Sequence, residues 1–340
     1  ALMYGRAHAA LRPRIRAVSG ELAKKVRAHA RDPKLARTHG QHAVTITFGP
    51  EFAPVLERLV KGARRMDACA SGLVGKISGP VGTYSGQRAI GLPEKCGAIS
   101  FERRVLKKIG VWSEACSTQL VLPEALAEYL HACVLFSAAL GQLGRDCRHL
   151  MRSEIGEVSE EFRSGQVGSS AMPHKRNPKT FEQLEGVSRL VKNEYANVLD
   201  TLISEHSRDL VGSSMMRMFP VIVILLAHQL EMLLAPKDGL TFLERVRFDT
   251  LRARHLLDVH GAPTLAETIY CGLAAAGYAG DAHRFAGEKV VPLLNTGMNP
   301  WQALIQAVHL ARDPDLFHAL HAMPADARVI LQGGGAFACL

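Results

Sequence analysis

The sequence is poor in the features of secreted, metal-stapled and membrane-spanning proteins. Its seven cysteines, at positions 69, 96, 116, 133, 147, 271 and 339, form no CxxC pair and are odd in number. That argues against a structural zinc site or a disulfide framework and for reduced thiols in a cytosolic protein. Spacing alone leaves one or two isolated bridges open. The opening Ala1-Leu2-Met3-Tyr4 is not a basic segment followed by an apolar run, so no secretory leader is expected. The most apolar stretch, Phe219 to Ala235, contains His228, Gln229 and Glu231. Those groups would be costly to desolvate in lipid, and a helix buried among helices fits better. There is no internal repeat, no low-complexity run and almost nothing that reads as a strand.

What is present is a globular composition: 340 residues, 47% apolar and 21% charged, with 41 Lys+Arg against 32 Asp+Glu and a formal charge of +9. The length suggests about two domains and a large core. The basic excess favours an anionic partner and leaves open nucleic acid, phosphate or carboxylate. No basic stripe interleaved with aromatics favours nucleic acid.

Helical spacing dominates. Leu11, Ile15, Val18, Leu22 and Val26 predict a helix over 1–30, and Phe52, Val55, Leu56, Leu59 and Val60 another over 50–71. Residues 37–49 read as a polar break and 72–97 as loop or hairpin. Pro123 opens a long helix to about 154. A Gly/Ser-rich loop covers 156–178, a length usual for functional segments. Helices follow over 179–203 and 215–235, then shorter ones over 242–257, 264–276, 280–294 and 300–310. The expected fold is all-α: a long-helix bundle over 1–236 with a smaller C-terminal helical domain over 237–340. Helices this apolar suggest a bundle shared between subunits.

Three segments carry candidate chemistry. Gly168-Ser169-Ser170-Ala171-Met172-Pro173-His174-Lys175-Arg176-Asn177-Pro178, with Glu182 after it, combines hydroxyls, cations and a helix start. Asn177 is the expected N-cap and Pro178 the first-turn residue. Such a loop suits a dianion, because cations and free helix N–H groups both favour negative charge; by composition alone it could equally be an ordinary flexible loop. Arg37-Thr38-His39-Gly40-Gln41-His42-Ala43 has two histidines three apart, with no acidic or cysteine partner at ligand spacing, so a metal is not expected. Arg208-Asp209-Leu210-Val211-Gly212-Ser213-Ser214-Met215-Met216-Arg217 places two arginines around hydroxyls before a helix. It reads as a phosphate cradle or as a capped helix start with solvated arginines.

The order of residues in the first segment resembles the fumarase/aspartase superfamily signature GSSxMPxKxNxxxxE, with every fixed position present. The form with Ala171, His174, Arg176 and Pro178 is most similar to the adenylosuccinate lyase branch. The second segment resembles that family's TH-G-x-x-A motif, and the third its RD-x-x-x-SS-x-x-R stretch. Lys76 to Tyr84 resembles KISGAVGTY, and Ser117-Thr118-Gln119 its STQ. The resemblance implies anti β-elimination of fumarate. Ser169 would be the base, His39 the acid for the leaving group, and Glu182 the carboxylate paired with that histidine. Lys175 and Asn177 would hold substrate carboxylate, and Thr38, Ser170 and Gln119 would contact substrate. Arg208, Ser213 and Arg217 would bind a nucleotide phosphate. His42 would be a surface or supporting residue.

No metal or organic cofactor is implied. The implied partner is a succinyl-bearing purine nucleotide, in a cytoplasmic homotetramer with shared sites and no membrane or nucleic acid. Carboxymuconate cycloisomerases, argininosuccinate lyases and a non-catalytic scaffold are the alternatives. Departures from the pattern fall at Pro123 and Glu124, where the family has Arg-Asp, at Gly212 for His and at Met216 for Glu. The family's N-terminal domain has no counterpart before Ala1, so the isolated chain is expected to have an incomplete site.

Overall fold

The structure is a computed structural model that describes residues 1–92, 97–160, 172 and 175–333. Its chain divides into two compact units. The first comprises Ala1–Ala23, Pro54–His149 and Glu160–Val246, and the second Lys24–Ala53, Leu150–Ser159 and Arg247–Leu340.

The long helices are α1 (Leu2–Ala28), α2 (Phe48–Ser71), α3 (Glu124–Leu150), α4 (Lys179–Leu199) and α5 (Phe219–Leu234). In α1 the buried residues Tyr4, His8, Leu11, Ile15, Val18 and Leu22 recur at alternating spacings of three and four, the seam of a bundle helix. Pro13 lies on the exposed side. In the first unit, α4 packs along α5. A buried polar bridge fastens them: the Gln229 amide donates to the Leu184 carbonyl (2.9 Å) and accepts from the Ser137 hydroxyl of α3 (2.6 Å). Such satisfied polar groups fix register in an apolar core. Gly144 lets α3 approach α4 closely, since a Cβ there would come within 2.6 Å of the Phe181 carbonyl oxygen.

α3 and the 213–234 segment are long and apolar enough to cross a membrane by composition. Both contribute to a protein core instead: two-thirds of the apolar window of α3 is buried, and α5 carries the fully buried Gln229.

The polar break expected over 37–49 is a β-hairpin. Strand β1 (Pro33–Thr38) pairs antiparallel with β2 (Gln41–Thr47), and the register shifts by one residue between Leu35 and Arg37, a bulge on β2. The β-branched run Val44-Thr45-Ile46-Thr47 favours strand. His39 (φ 53°) and Gly40 (φ 76°) close the turn, the two positive angles of a type I′ hairpin. The hairpin sits in the second unit, above stacked rings of Phe48, Phe52 and Phe248, whose centroids lie 5.0 Å apart in each stack.

The helix expected over 242–257 is broken into Phe242–Arg245 and α6 (Thr250–His260). Arg247–Phe248 between them pairs with Val158–Ser159. Separate caps explain the break: Thr241 makes a reciprocal capping box with Glu244, and Asp249 accepts from the Arg252 N–H. Beyond α6, helices Ala266–Ala275, Pro300–Ala311, Pro314–Ala322 and Ala325–Gln332 enclose a core that includes Ile269, Leu273, Val290, Leu304 and Leu331.

Candidate active site

The signature loop lies largely outside the described residues: Ser169 and Ser170 belong there, with Gly168, Pro173 and His174. Lys175 and Asn177 are described, and both are exposed. Helix α4 does not start on an Asn177 cap. Pro178 occupies the capping position without a side-chain hydrogen bond, and a residue before proline is pushed toward extended backbone. The Glu160 carboxylate caps the helix instead. One oxygen accepts from the N–H groups of Thr180 (2.9 Å) and Phe181 (3.0 Å), and the other from the Thr180 hydroxyl (3.3 Å). Burial raises the Glu160 pKa, and those hydrogen bonds oppose the rise. Glu182 follows on the first turn of α4 and is exposed. No short-range pattern could have found Glu160, because it comes from twenty residues upstream.

His39 stands at the exposed tip of the hairpin, with Thr38 beside it at the end of β1. The hairpin is anchored by charges that the sequence did not single out. Lys34 is fully buried and contacts Glu51 and, at 2.9 Å, Glu157. Arg37 meets the same Glu157 carboxylate through Nη1 (3.0 Å) and Nη2 (3.1 Å). Burial raises the Glu51 pKa, and Lys34 pulls it back down. Two cations and two carboxylates thus satisfy one another where an isolated charge would be costly. His42 lies on β2 with its ring 4.9 Å from that of His260. Burial lowers its pKa, and the charges of Arg37 and His260 lower it further. His42 and His260 help line a cavity of about 830 Å³ in the second unit. Among the described residues, none of those expected to be catalytic or substrate-binding lines it.

The first unit brings two predicted segments together. The Gln119 N–H donates to the Ser207 carbonyl (3.3 Å), so the STQ loop lies against the Arg208 segment. Lys76 donates to the carbonyls of Thr118 and Gln119, and the Ser78 and Ser117 hydroxyls are 2.8 Å apart. Gly82 has φ +75°, and a Cβ there would collide with the Ser117 carbonyl oxygen. The KISGPVGTY turn is therefore the bracket of the STQ loop. Glu102, buried, secures that turn by accepting from the Ile77 N–H and the Tyr84 hydroxyl; it too was missed in sequence.

Between these segments lies a cavity of about 380 Å³, lined in part by Thr118, Leu122, Pro123, Ser207, Arg208 and Met216. Arg208 enters its wall, whereas Gln119, Ser213 and Arg217 are not among the lining residues. Arg217 is exposed just after the one-turn helix Ser213–Met216. Asp209 ties the loop together by accepting from the Glu205 N–H (2.8 Å), the Ser204 hydroxyl (2.7 Å) and the Val211 N–H (2.7 Å). Those bonds, led by the Glu205 N–H, hold its pKa down at about 2. Gly212 packs on Thr201, where a Cβ would come within 3.1 Å of the Thr201 methyl.

His39 and Thr38 belong to one unit, and Glu182, Gln119 and Arg208 to the other. Among the described residues, no group of three or more His, Cys, Asp or Glu side chains is placed to hold a metal ion.

A family model described as Lyase matches residues 1–192. An adenylosuccinate lyase of Pyrococcus horikoshii is 35% identical over 269 residues, which are 77% of this chain and 55% of that protein. An N-acetyl-S-(2-succino)cysteine lyase of Dickeya dadantii is 31% identical over 256 residues, covering 75% of this chain and 53% of that one. The chain thus spans little more than half the length of these curated relatives. The crystal structure of a 3-carboxy-cis,cis-muconate lactonizing enzyme from Pseudomonas putida matches with a TM-score of 0.75 at 24% identity, over 99% of this chain and 74% of that chain; this likeness establishes the fold. The signature residues, the helical bundle and a family match over more than half the sequence agree: the chain belongs to the lyase family of the fumarase/aspartase superfamily.

Proposed function

We propose that the chain is the central (1–236) and C-terminal (237–340) part of an adenylosuccinate lyase. It would eliminate fumarate from adenylosuccinate, leaving AMP, and from the succinylo-carboxamide ribotide of purine synthesis, leaving its carboxamide. The observation that carries the reading is the meeting of the STQ loop and Arg208 at one cavity. A guanidinium at its wall suits an anionic group of the substrate, and the Arg208 stretch resembles the one that binds nucleotide phosphate in the adenylosuccinate lyase branch.

In this reading Ser169 takes the proton from the carbon next to a substrate carboxylate. The electron pair forms the fumarate double bond, the C–N bond breaks, and His39 protonates the departing nitrogen. Serine is a weak base, so its alkoxide must be stabilised by N–H groups and cations. Glu182 orients His39 and fixes its tautomer. Lys175 and Asn177 hold the negative charge that develops on the carboxylate. Thr38, Ser170 and Gln119 contact substrate, and Arg208, Ser213 and Arg217 hold the phosphate. No cofactor or metal takes part.

The long helices expose Leu135, Leu190, Leu199 and Ile224. Exposed apolar side chains along bundle helices support burial against further copies, and we take the enzyme to be a cytoplasmic homotetramer. Its sites would combine the His39, Ser169 and Arg208 segments of different subunits.

A second reading has the same elimination act on a different leaving group. The apolar walls of the Arg208 cavity, together with the similarity to the Dickeya dadantii enzyme, favour a succinyl thioether as its substrate. Fumarate release measured with adenylosuccinate and with an S-succinyl cysteine derivative separates the two. Release from the thioether alone would overturn the first reading.

A further inference from the structure

Helix Ala98–Lys108 buries Glu102 and Leu106, four residues apart. Glu102 ties the helix to the KISGPVGTY turn. Leu106 packs on Gly75, where a Cβ would come within 3.2 Å of its methyl. Arg103 and Lys107, each one position further on, therefore share an exposed face. The helix ends in a paired turn. The Gly110 N–H donates to the Lys107 carbonyl (3.1 Å) and the Val111 N–H to the Leu106 carbonyl (3.0 Å), with Gly110 at φ 76°. Past that turn, Trp112 lies on a short strand paired with Val74 and is 70% exposed.

Arg103, Lys107, Gly110, Val111, Trp112 and Ser113 line a groove of about 620 Å³, a volume usual for small-molecule sites. Among the described residues no acidic side chain lines it, and no carboxylate lies within ion-pair distance of Arg103 or Lys107. Among the same residues, no ring or cation stacks on Trp112. Solvated cations are ordinary on a surface, but a bare indole face beside them offers a large apolar contact to a flat ring. Two cations one helical turn apart suit successive phosphate groups. Ser113 is the one uncharged side chain among the lining residues that can hydrogen-bond, so the edges of a base would go largely unread.

We propose that this groove binds a nucleoside di- or triphosphate, with its base stacked on Trp112 and its phosphates on Arg103 and Lys107. The groove selects by ring face and charge, so the identity of the base matters little and the number of phosphates matters much. Among the described residues, none given a role in the elimination lines it, and nucleotide binding here does not depend on that chemistry.

The test is calorimetric titration of the protein expressed from its complete coding sequence with ATP, GTP, adenosine and inorganic tripolyphosphate. ATP and GTP should bind alike, and both more tightly than adenosine or tripolyphosphate. ATP affinity should fall with salt while adenosine affinity does not; these wild-type measurements stand even if a variant fails to fold. ATP should bind at least about fivefold more weakly in W112A, with W112F retaining most of the affinity. R103Q/K107Q should also weaken ATP and reduce its salt dependence. R208A, which alters the elimination site, should leave ATP affinity unchanged. No ATP binding, equal affinity in wild type, W112A and R103Q/K107Q, or tripolyphosphate binding as tightly as ATP overturns the proposal. So does a loss confined to R208A, which would place the nucleotide at the elimination site. A changed subunit number in W112A with ATP affinity intact would make the groove an interface between copies and overturn it as well.

Discussion

Arg37 and Glu157 form a two-pronged ion pair, with both terminal guanidinium nitrogens within 3.2 Å of the carboxylate. They are 120 residues apart in sequence, and Glu157 is fully buried. The pair holds the first strand of the hairpin two residues before His39, at its tip. The geometry of a residue proposed to transfer a proton thus depends on a carboxylate that no motif contains.

Glu157 also meets the buried Lys34, so its removal leaves Lys34 with Glu51 alone and Arg37 without its carboxylate. Glu157→Gln should lower stability by about 3–5 kcal/mol, the usual cost of leaving a buried charge uncompensated. Urea unfolding of the variant beside wild type checks this. A change within about 0.5 kcal/mol would mean that the cluster is solvated.

The hairpin turn allows His39 to be tested for chemistry apart from folding. Its φ of 53° lies in the left-handed region, which asparagine tolerates well. His39→Asn should therefore keep the melting temperature while turnover falls by about 10² to 10⁴, the range expected when a general acid is lost. Near-normal turnover would remove His39 from the mechanism.

Gly82→Ala should disturb the substrate loop from a distance. The positive φ and the collision with the Ser117 carbonyl leave no room for a Cβ, and the backbone must shift. A loss of at least about 1 kcal/mol is expected. A raised KM should accompany it, since the displaced loop carries Thr118 and Gln119. Unchanged kinetics with lowered stability would detach the STQ loop from the substrate.

Glu185 supplies a pH test. Its carboxylate accepts hydrogen bonds from Arg145, Arg148 and Arg189, and these, led by Arg145, hold its pKa at about 2. A depressed carboxylate stabilises the fold above its unfolded pKa and loses that contribution as pH falls through the folded value. Wild type should therefore exceed Glu185→Gln in stability by a constant margin above roughly pH 5, shrinking as pH approaches about 2. A margin that does not change with pH would contradict the assignment.

Much of the fold was legible because long helices repeat one signal many times. The alternating spacing from Tyr4 to Leu22 defines α1 despite Pro13 and Gly20. The hairpin was not legible because its pattern is short and its polar face reads as loop. Its stability comes from Lys34, Arg37 and Glu157, which meet only after folding. The same holds for the Glu160 cap, which outcompetes the local Asn177-Pro178 signal. In the candidate site, the motifs named the residues, and folding showed which of them converge. The STQ loop and Arg208 do so, through a backbone contact that spacing could not reveal, whereas Arg217 does not reach the cavity.

The most direct test of the proposed activity follows fumarate and AMP from adenylosuccinate, using the protein expressed from its complete coding sequence and its Ser169→Ala variant. The account predicts equal amounts of the two products from wild type and a loss of at least about 10² in rate when the base is removed. Full activity without Ser169, or no fumarate from adenylosuccinate alongside release from a succinyl thioether, would contradict it.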